Sequence, residues 1–346
     1  MPAHPRPDSR PVSELLARTA LAPRQAHKAL TLWPLVLQPD APDPAGPGFV
    51  ALADALRSGA VSVDELGGGA RVPHVRVTNR GREAVLVLFG EELAGAMQNR
   101  IANASFLVPG ESQLDIDVSC TEAGRWARRS SGFAAGLGLV SSAMRRKMSR
   151  KVAQARAAGL SFDADQGEVW QGVANRIAFS ATHSPTHAYE DYARSRGSDL
   201  HEIGAAFRPL ARQVGFVAAI GDEVVGLEAI GWPGVFAACF ERLLSGYAID
   251  AVDHAFVREL EEQGKREARE AGRRPGGWFE RGAPDRQAAR FDAPEAFLAA
   301  LADAPCRSGP SLGLGSDLRI AGGGIAGCAL VEGGVVHLTA FPEEGA

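Results

Sequence analysis

The sequence predicts an α+β protein: an N-terminal antiparallel β-sandwich or barrel-like core, a helical middle and a C-terminal mixed α/β unit. Three observations carry this. Between residues 72 and 118 the chain alternates apolar and polar residues or runs short apolar stretches, separated by turn residues. Connections that short favour hairpins over parallel crossovers, and closure into a sandwich or barrel hides the strand edges. Helical spacing then takes over, and strand patterns return from residue 213. Of the 346 residues 45% are hydrophobic and 23% charged, which excludes a chain disordered throughout. The 40 glycines and 21 prolines follow no three-residue period, so they mark turns rather than a collagen-like repeat.

In chain order, residues 1–26 are proline-rich and polar at their start and are expected to form a disordered tail. Residues 31–37 read as a strand, and QPDAPDPAGPG after them supports neither helix nor ladder. Residues 49–57 have helical spacing, stopped by Ser58-Gly59. VPHVRVTN, EAVLVLF, RIANASFLVP and QLDIDVSC are the core strands, with turns at Asn79-Arg80-Gly81 and Pro109-Gly110. Residues 133–196 are expected to be helical, Met144, Met148, Val152 and Ala155 lying down one face. GFVAAI and EVVGLEAI flank Gly221-Asp222 as a hairpin. Residues 235–256 form an amphipathic helix that buries Phe236, Phe240, Leu243, Leu244 and Tyr247. The polar stretch 261–277 suits a solvated helix end and a connector. LRIAG, GCALVEG and GVVHLTAF close the chain as strands. Two units are expected, 27–200 and 201–346, meeting near residues 197–209.

A net charge of −4 argues against a wholesale nucleic-acid binder. Cys120, Cys239, Cys306 and Cys328 form no C-x-x-C pair, so neither a zinc ribbon nor a thioredoxin-type motif is encoded, and a reducing cytoplasm fits best. The first residues lack the apolar run of a secretory signal, and the charge-free window 133–144 falls short of the roughly 20 residues that span a bilayer. No membrane segment is expected. Nor is a metal site: no H-E-x-x-H occurs, and Pro185 separates His183 from His187. The glycine-rich stretch 313–327 matches no phosphate-loop pattern.

The densest polar cluster is GEELAGAMQNR, residues 90–100. Gln98, Asn99 and Arg100 offer amide and fork-shaped donors suited to phosphate, carboxylate or ribose hydroxyls, and Glu92 a carboxylate. The plain alternative is a hairpin whose polar groups cap strand ends. A second cluster, SCTEAGRW, ends the last strand of the same sheet. There Glu122 suits acid/base work, Arg125 an anion and Trp126 ring stacking, unless Glu122 and Arg125 pair only with each other and Trp126 anchors the core. Cys120 reads as a small buried hydrophobe rather than a nucleophile. No acidic residue falls between 123 and 161 while arginines and lysines abound, giving either a solvated basic helix face or a local anion field. Glu228 and His337, inside strand-like segments, are weak pocket candidates.

With Gln98-Asn99-Arg100, Cys120-x-Glu122-x-x-Arg125-Trp126 and DQGEVW at 165–170, the chain from about residue 30 onward resembles a prokaryotic family. That family is named for its association with ADP-ribosylglycohydrolases and rhodanese/phosphatase-superfamily proteins. The resemblance implies a role near NAD or ADP-ribose metabolism without an established reaction, and no defined cofactor. The resulting expectation is an enzyme handling a nucleotide-type anion. Arg100 and Arg125 would hold a diphosphate, Gln98 and Asn99 a ribose, Trp126 a base, and Glu92 or Glu122 would assist glycosidic cleavage. The alternatives are a non-catalytic module for the same ligand or a protein, and an accessory to RNA or DNA processing, with nucleic acid the less favoured partner.

Overall fold

The computed structural model describes residues 9–66, 73–125, 127–270 and 291–343. The first half comprises α1 (Arg10–Ala17), β1 (Thr19–Leu21), β2 (Gln25–His27), β3 (Leu30–Leu37), β4 (Phe49–Ala51), α2 (Leu52–Arg57), β5 (Val61–Glu65), β6 (His74–Asn79), β7 (Ala84–Val87), β8 (Glu91–Gly95), β9 (Arg100–Ala102), β10 (Phe106–Val108), β11 (Ser112–Cys120) and β12 (Phe133–Leu139). Helices α3 (Ser142–Ala157), α4 (Gln166–Ser180), α5 (Tyr189–Ser195) and α6 (Gly197–Ala206) follow. The remainder is β13 (Gln213–Ile220), β14 (Glu223–Ala229), α7 (Pro233–Glu270), α8 (Pro294–Asp303), β15 (Cys306–Pro310), β16 (Ser316–Gly322), β17 (Ile325–Val331) and β18 (Val335–Pro342).

Among the described residues, β11-β6-β5-β12-β8-β9 close into an antiparallel barrel. The α+β class and the barrel-like core agree with the sequence pattern. Alternation explains the wall: Val63, Val75, Val77, Leu93, Ile116 and Val118 are opposite one another in register or two residues apart, so they share the inner face, and all are buried. Each such side chain contributes roughly 1.5–3 kcal/mol relative to exposure. Outside the wall, Arg76 meets Asp115 across β6 and β11 at 2.7 Å. A small sheet, β10-β7-β4, has β4 parallel to β7, and a long sheet runs β1-β3-β13-β14-β18-β17-β16-β15 with β2 also on β3.

Several expectations are corrected. Residues 133–139 are a strand, not part of the helical region: FAAGLGL has little period-two contrast, yet it fills the gap between β5 and β8. Residues 49–51 are strand β4, and the helix begins only at Leu52. Part of the predicted tail is ordered, because Val12 and Leu15 of α1 join the apolar cluster that holds Phe297 and Leu301 of α8. The expected division at residue 200 does not separate the sheets, since β3 lies between β1 and β13. Helix α7 spans 38 residues, about 57 Å, well beyond the expected 235–256. Its first half buries Phe236, Phe240, Leu243, Leu244 and Tyr247, as the pattern predicts. The expected connector after residue 270 lies outside the described residues.

Candidate functional site

The hairpin of β8 and β9 builds the first part of the site. Its turn needs a left-handed residue, and Ala96 supplies it at φ 43°. The Asn99 amide oxygen locks the turn by accepting from Gly95 N at 3.0 Å. The end of β11 then lies beside β9, Cys120 opposite Arg100, and Thr121 N donates to Asn99 O at 3.0 Å. The two predicted clusters are therefore adjacent in space.

Asn99, Glu122 and Arg125 form one network. Asn99 N donates to Glu122 Oε2 at 3.3 Å, and Arg125 Nη2 donates to Asn99 Oδ1 at 3.3 Å and lies 2.7 Å from Glu122 Oε2. Arg125 Nη1 also donates to Ala96 O at 2.8 Å, and Thr186 Oγ1 to Glu122 Oε1 at 2.7 Å. The Asn99 amide donates to Glu190 Oε2 on α5 at 2.8 Å, where Arg129 and Arg194 converge from the more open side. Burial opposes ionisation of Glu122, but the Arg125 and Thr186 hydrogen bonds outweigh it and hold the carboxyl below its usual value. Glu190 is lowered in the same way, Asn99 and Arg194 overcoming its burial.

Gln98 and Arg100 are separate from that network. The register places Arg100 on the barrel's inner face with Leu93 and Cys120. There Arg100 Nη1 donates to Gln98 Oε1 at 2.9 Å and to Cys120 Sγ, and Nη2 lies 3.6 Å from Glu65 Oε1. Burial pushes the Cys120 thiol up to about 11, the nearby guanidinium only partly opposing it, which disfavours the thiolate a nucleophile requires. Arg100 is completely buried, so in this conformation no solvent-borne diphosphate reaches it. Arg125 is likewise turned to protein acceptors. Trp126 lies outside the described residues.

Glu92 is opposite Ile101, so alternation puts it on the outer face of the wall, away from Arg100. It is 1% exposed. A Cβ at Gly136 would lie 2.7 Å from Glu92 Cβ, so this glycine makes room for the side chain. Glu92 Oε2 accepts from Leu137 N at 3.3 Å, and Oε1 has no hydrogen-bond partner. Burial raises the carboxyl to about 7, the Leu137 N–H opposing the shift and the negative field of Glu190 adding to it. Buried polar atoms without partners recur nearby at Gln98 Nε2, Arg100 Nε and Thr121 Oγ1. In native proteins such atoms mark strain, water or a ligand.

Glu228 and His337 are part of a buried network where the long sheet meets α3 and α7. Glu228 accepts from Arg145, from Tyr247 OH and Thr339 Oγ1 at 2.9 Å each, and from His337 Nε2 at 2.9 Å. With Nε2–H directed at a carboxylate, Nδ1 accepts from Ser105 Oγ at 2.6 Å. Gly90, at φ +78°, leaves space for Arg145: a Cβ there would fall 2.4 Å from Arg145 Cδ. Arg145 belongs to the basic run, which thus does not form one face. Lys151 pairs with Asp165 and Glu168, and the Arg156 guanidinium lies over the Phe162 ring.

Sequence reading missed Glu65, Thr186 and Glu190, which are single polar residues in ordinary surroundings until the fold assembles them. It also missed a cleft of about 530 Å³ lined by α3, α4, α7 and the β13–β14 turn. Among the described residues no cluster of three or more His, Cys, Asp or Glu is arranged to hold a metal, and no helix is long and apolar enough to cross a membrane.

Residues 18–341 match the model of the ARG and Rhodanese-Phosphatase-superfamily-associated Protein domain family (ARPP-1). The chain belongs to this family. The ARPP-1 match begins just after α1 and runs into β18, and so takes in the barrel, the long sheet and every site residue named above. Comparisons with curated proteins and with solved structures give no match.

Proposed function

We propose that this ARPP-1 protein is a cytoplasmic hydrolase that processes a nucleotide-type anion in NAD- or ADP-ribose-linked metabolism, cleaving an ADP-ribose-type glycosidic bond. One observation carries the reading: neighbouring buried carboxyls are pushed in opposite directions, Glu92 up to about 7 and Glu122 below its usual value. Acid/base assignments are found where environments separate such pairs. Glu92, about half protonated at neutrality and with one oxygen free of protein partners, is the proton donor to the leaving group. It reaches that group only if the wall beside Gly136 opens, the residue being 1% exposed. Glu122, ionised, stabilises positive charge developing on the sugar. Arg129 and Arg194, 58% and 64% exposed, replace the buried Arg100 and Arg125 as the groups that first meet the anion.

The reading is tested by assaying NAD and an ADP-ribosylated peptide against wild type, Glu92→Gln, Glu122→Gln and an Arg129→Ala/Arg194→Ala double variant. Glu92→Gln is expected to lose about 10²-fold or more in kcat with binding retained. The double arginine variant is expected to raise KM. In the wild type kcat/KM should fall as pH rises above about 7, where Glu92 loses its proton.

A second reading, a non-catalytic module for the same ligand, is favoured by the saturation of Glu122, both of whose oxygens already accept from protein groups. It is the outcome if both glutamine variants match wild type in every assay while the double arginine variant loses binding.

A further inference from the structure

The cleft shares none of the residues of the hairpin site, and we infer that it is a second binding site, for an organic cation: an ammonium or guanidinium group on a short aliphatic chain. The decisive group is Asp253. It is 2% exposed, it lines the cleft, and its Oδ1 has no hydrogen-bond partner. Its other oxygen accepts from Tyr192 OH at 2.5 Å and faces Arg176 Nε at 3.8 Å. A buried carboxylate oxygen left without a donor is costly, so a donor brought by a ligand is favoured there.

The neighbouring acceptor is already used. Asp250 Oδ1 accepts from Arg176 Nη2 at 2.8 Å, and Oδ2 accepts from Ser142 Oγ at 2.6 Å and Ala143 N at 3.0 Å. Asp250 therefore occupies the N-terminus of α3, where an anionic ligand would otherwise bind. A divalent metal needs several oxygen ligands, and among the described residues no three acidic, cysteine or histidine side chains are placed to share one. A single charged donor group needs only one strong acceptor.

The rest of the cleft fits the same ligand. Ile220, Val225 and Val257 supply apolar wall for methylene groups. Over the whole lining Asp222, Glu223, Asp250, Asp253, Glu261 and Glu262 stand against Arg146, Arg176, Arg258 and Lys265, a net excess of negative charge that favours a cation. A volume of about 530 Å³ is within the range of small-molecule sites.

Calorimetric titration of the full chain with n-butylguanidinium and with 1,4-diaminobutane tests the inference, with n-pentanol, pentanoate and Mg²⁺ as comparators. At least one cation is expected to bind saturably, less tightly as salt rises, and at least about tenfold more weakly to Asp253→Asn, which keeps an acceptor for Tyr192. If circular dichroism shows Asp253→Asn unfolded, the lining variant Glu223→Gln/Glu262→Gln takes its place, and weakening of several-fold is expected. The inference is overturned if neither cation binds, if pentanol, pentanoate or Mg²⁺ binds as tightly, or if the folded variant binds like wild type. Glu92→Gln should leave cation binding unchanged, so failure here and failure of the hydrolase reading are separate results.

Discussion

Glu92 and Glu228 are both withdrawn from solvent, 1% and 0% exposed, yet their protonation is driven in opposite directions. Burial penalises the charge on each. At Glu228 the Arg145 guanidinium and the His337 ring reverse that penalty, and the carboxyl is held below its usual value. At Glu92 a backbone N–H is the hydrogen-bonding partner that favours the charge, and the carboxyl rises to about 7. The supply of donors, not depth, sets the charge state. One carboxylate is built to stay ionised and join elements; the other is poised to exchange a proton.

The largest test of this contrast removes the donor at the ionised end. Arg145→Met leaves Glu228 without its principal counter-charge and is expected to cost about 3–5 kcal/mol in urea unfolding at neutral pH. An unchanged midpoint would show that Arg145 does not hold that charge. The next acts on Glu92 through pH. Between 4.5 and about 7 the unfolded chain has released this proton while the folded chain keeps it, so stability falls as pH rises through that window. The loss amounts to roughly 3 kcal/mol at 1.36 kcal/mol per pH unit. Glu92→Gln should flatten that part of the wild-type profile. Glu228 has the opposite sign: its contribution is present above 4.5 and is lost as pH falls through its lowered value.

Smaller effects sharpen the picture. Gly136→Ala crowds Glu92 and is expected to cost about 1–3 kcal/mol, read by thermal unfolding. Thr186→Val removes one donor from Glu122 and should cost about 1 kcal/mol, with the Glu122 carboxyl moving up in an NMR titration. A Glu122 titration that stays put would mean Arg125 and the Asn99 N–H hold it without Thr186.

Much of the architecture was readable where chemistry alternates sharply. HVRVTN and QLDIDVSC became paired barrel strands, and Gly221-Asp222 became the β13–β14 turn. FAAGLGL was unreadable because its strand character comes from β5 and β8 on either side of it, not from its own side chains. Barrel closure and the insertion of β3 beside β13 join residues far apart in sequence, which local patterns do not encode. For the site, the adjacency of the two polar clusters was readable because they end neighbouring strands. Which side of the wall each residue takes was not: one position of register separates inward Arg100 from outward-facing Ile101, with Glu92 opposite it. Glu190 and Asp253 gave no warning: each is a single acidic residue on a helix, and nothing in its sequence neighbourhood shows that the fold buries it.

The place of β3 also bears on how the chain is born. Its partner β13 emerges from the ribosome about 175 residues later, roughly 10–35 s at ordinary synthesis rates. For that interval the nascent chain carries a strand with β1 and β2 on one flank and an open row of amides and carbonyls on the other. Prolonged stalling of translation before residue 213 would lengthen the time that edge is available to other nascent chains.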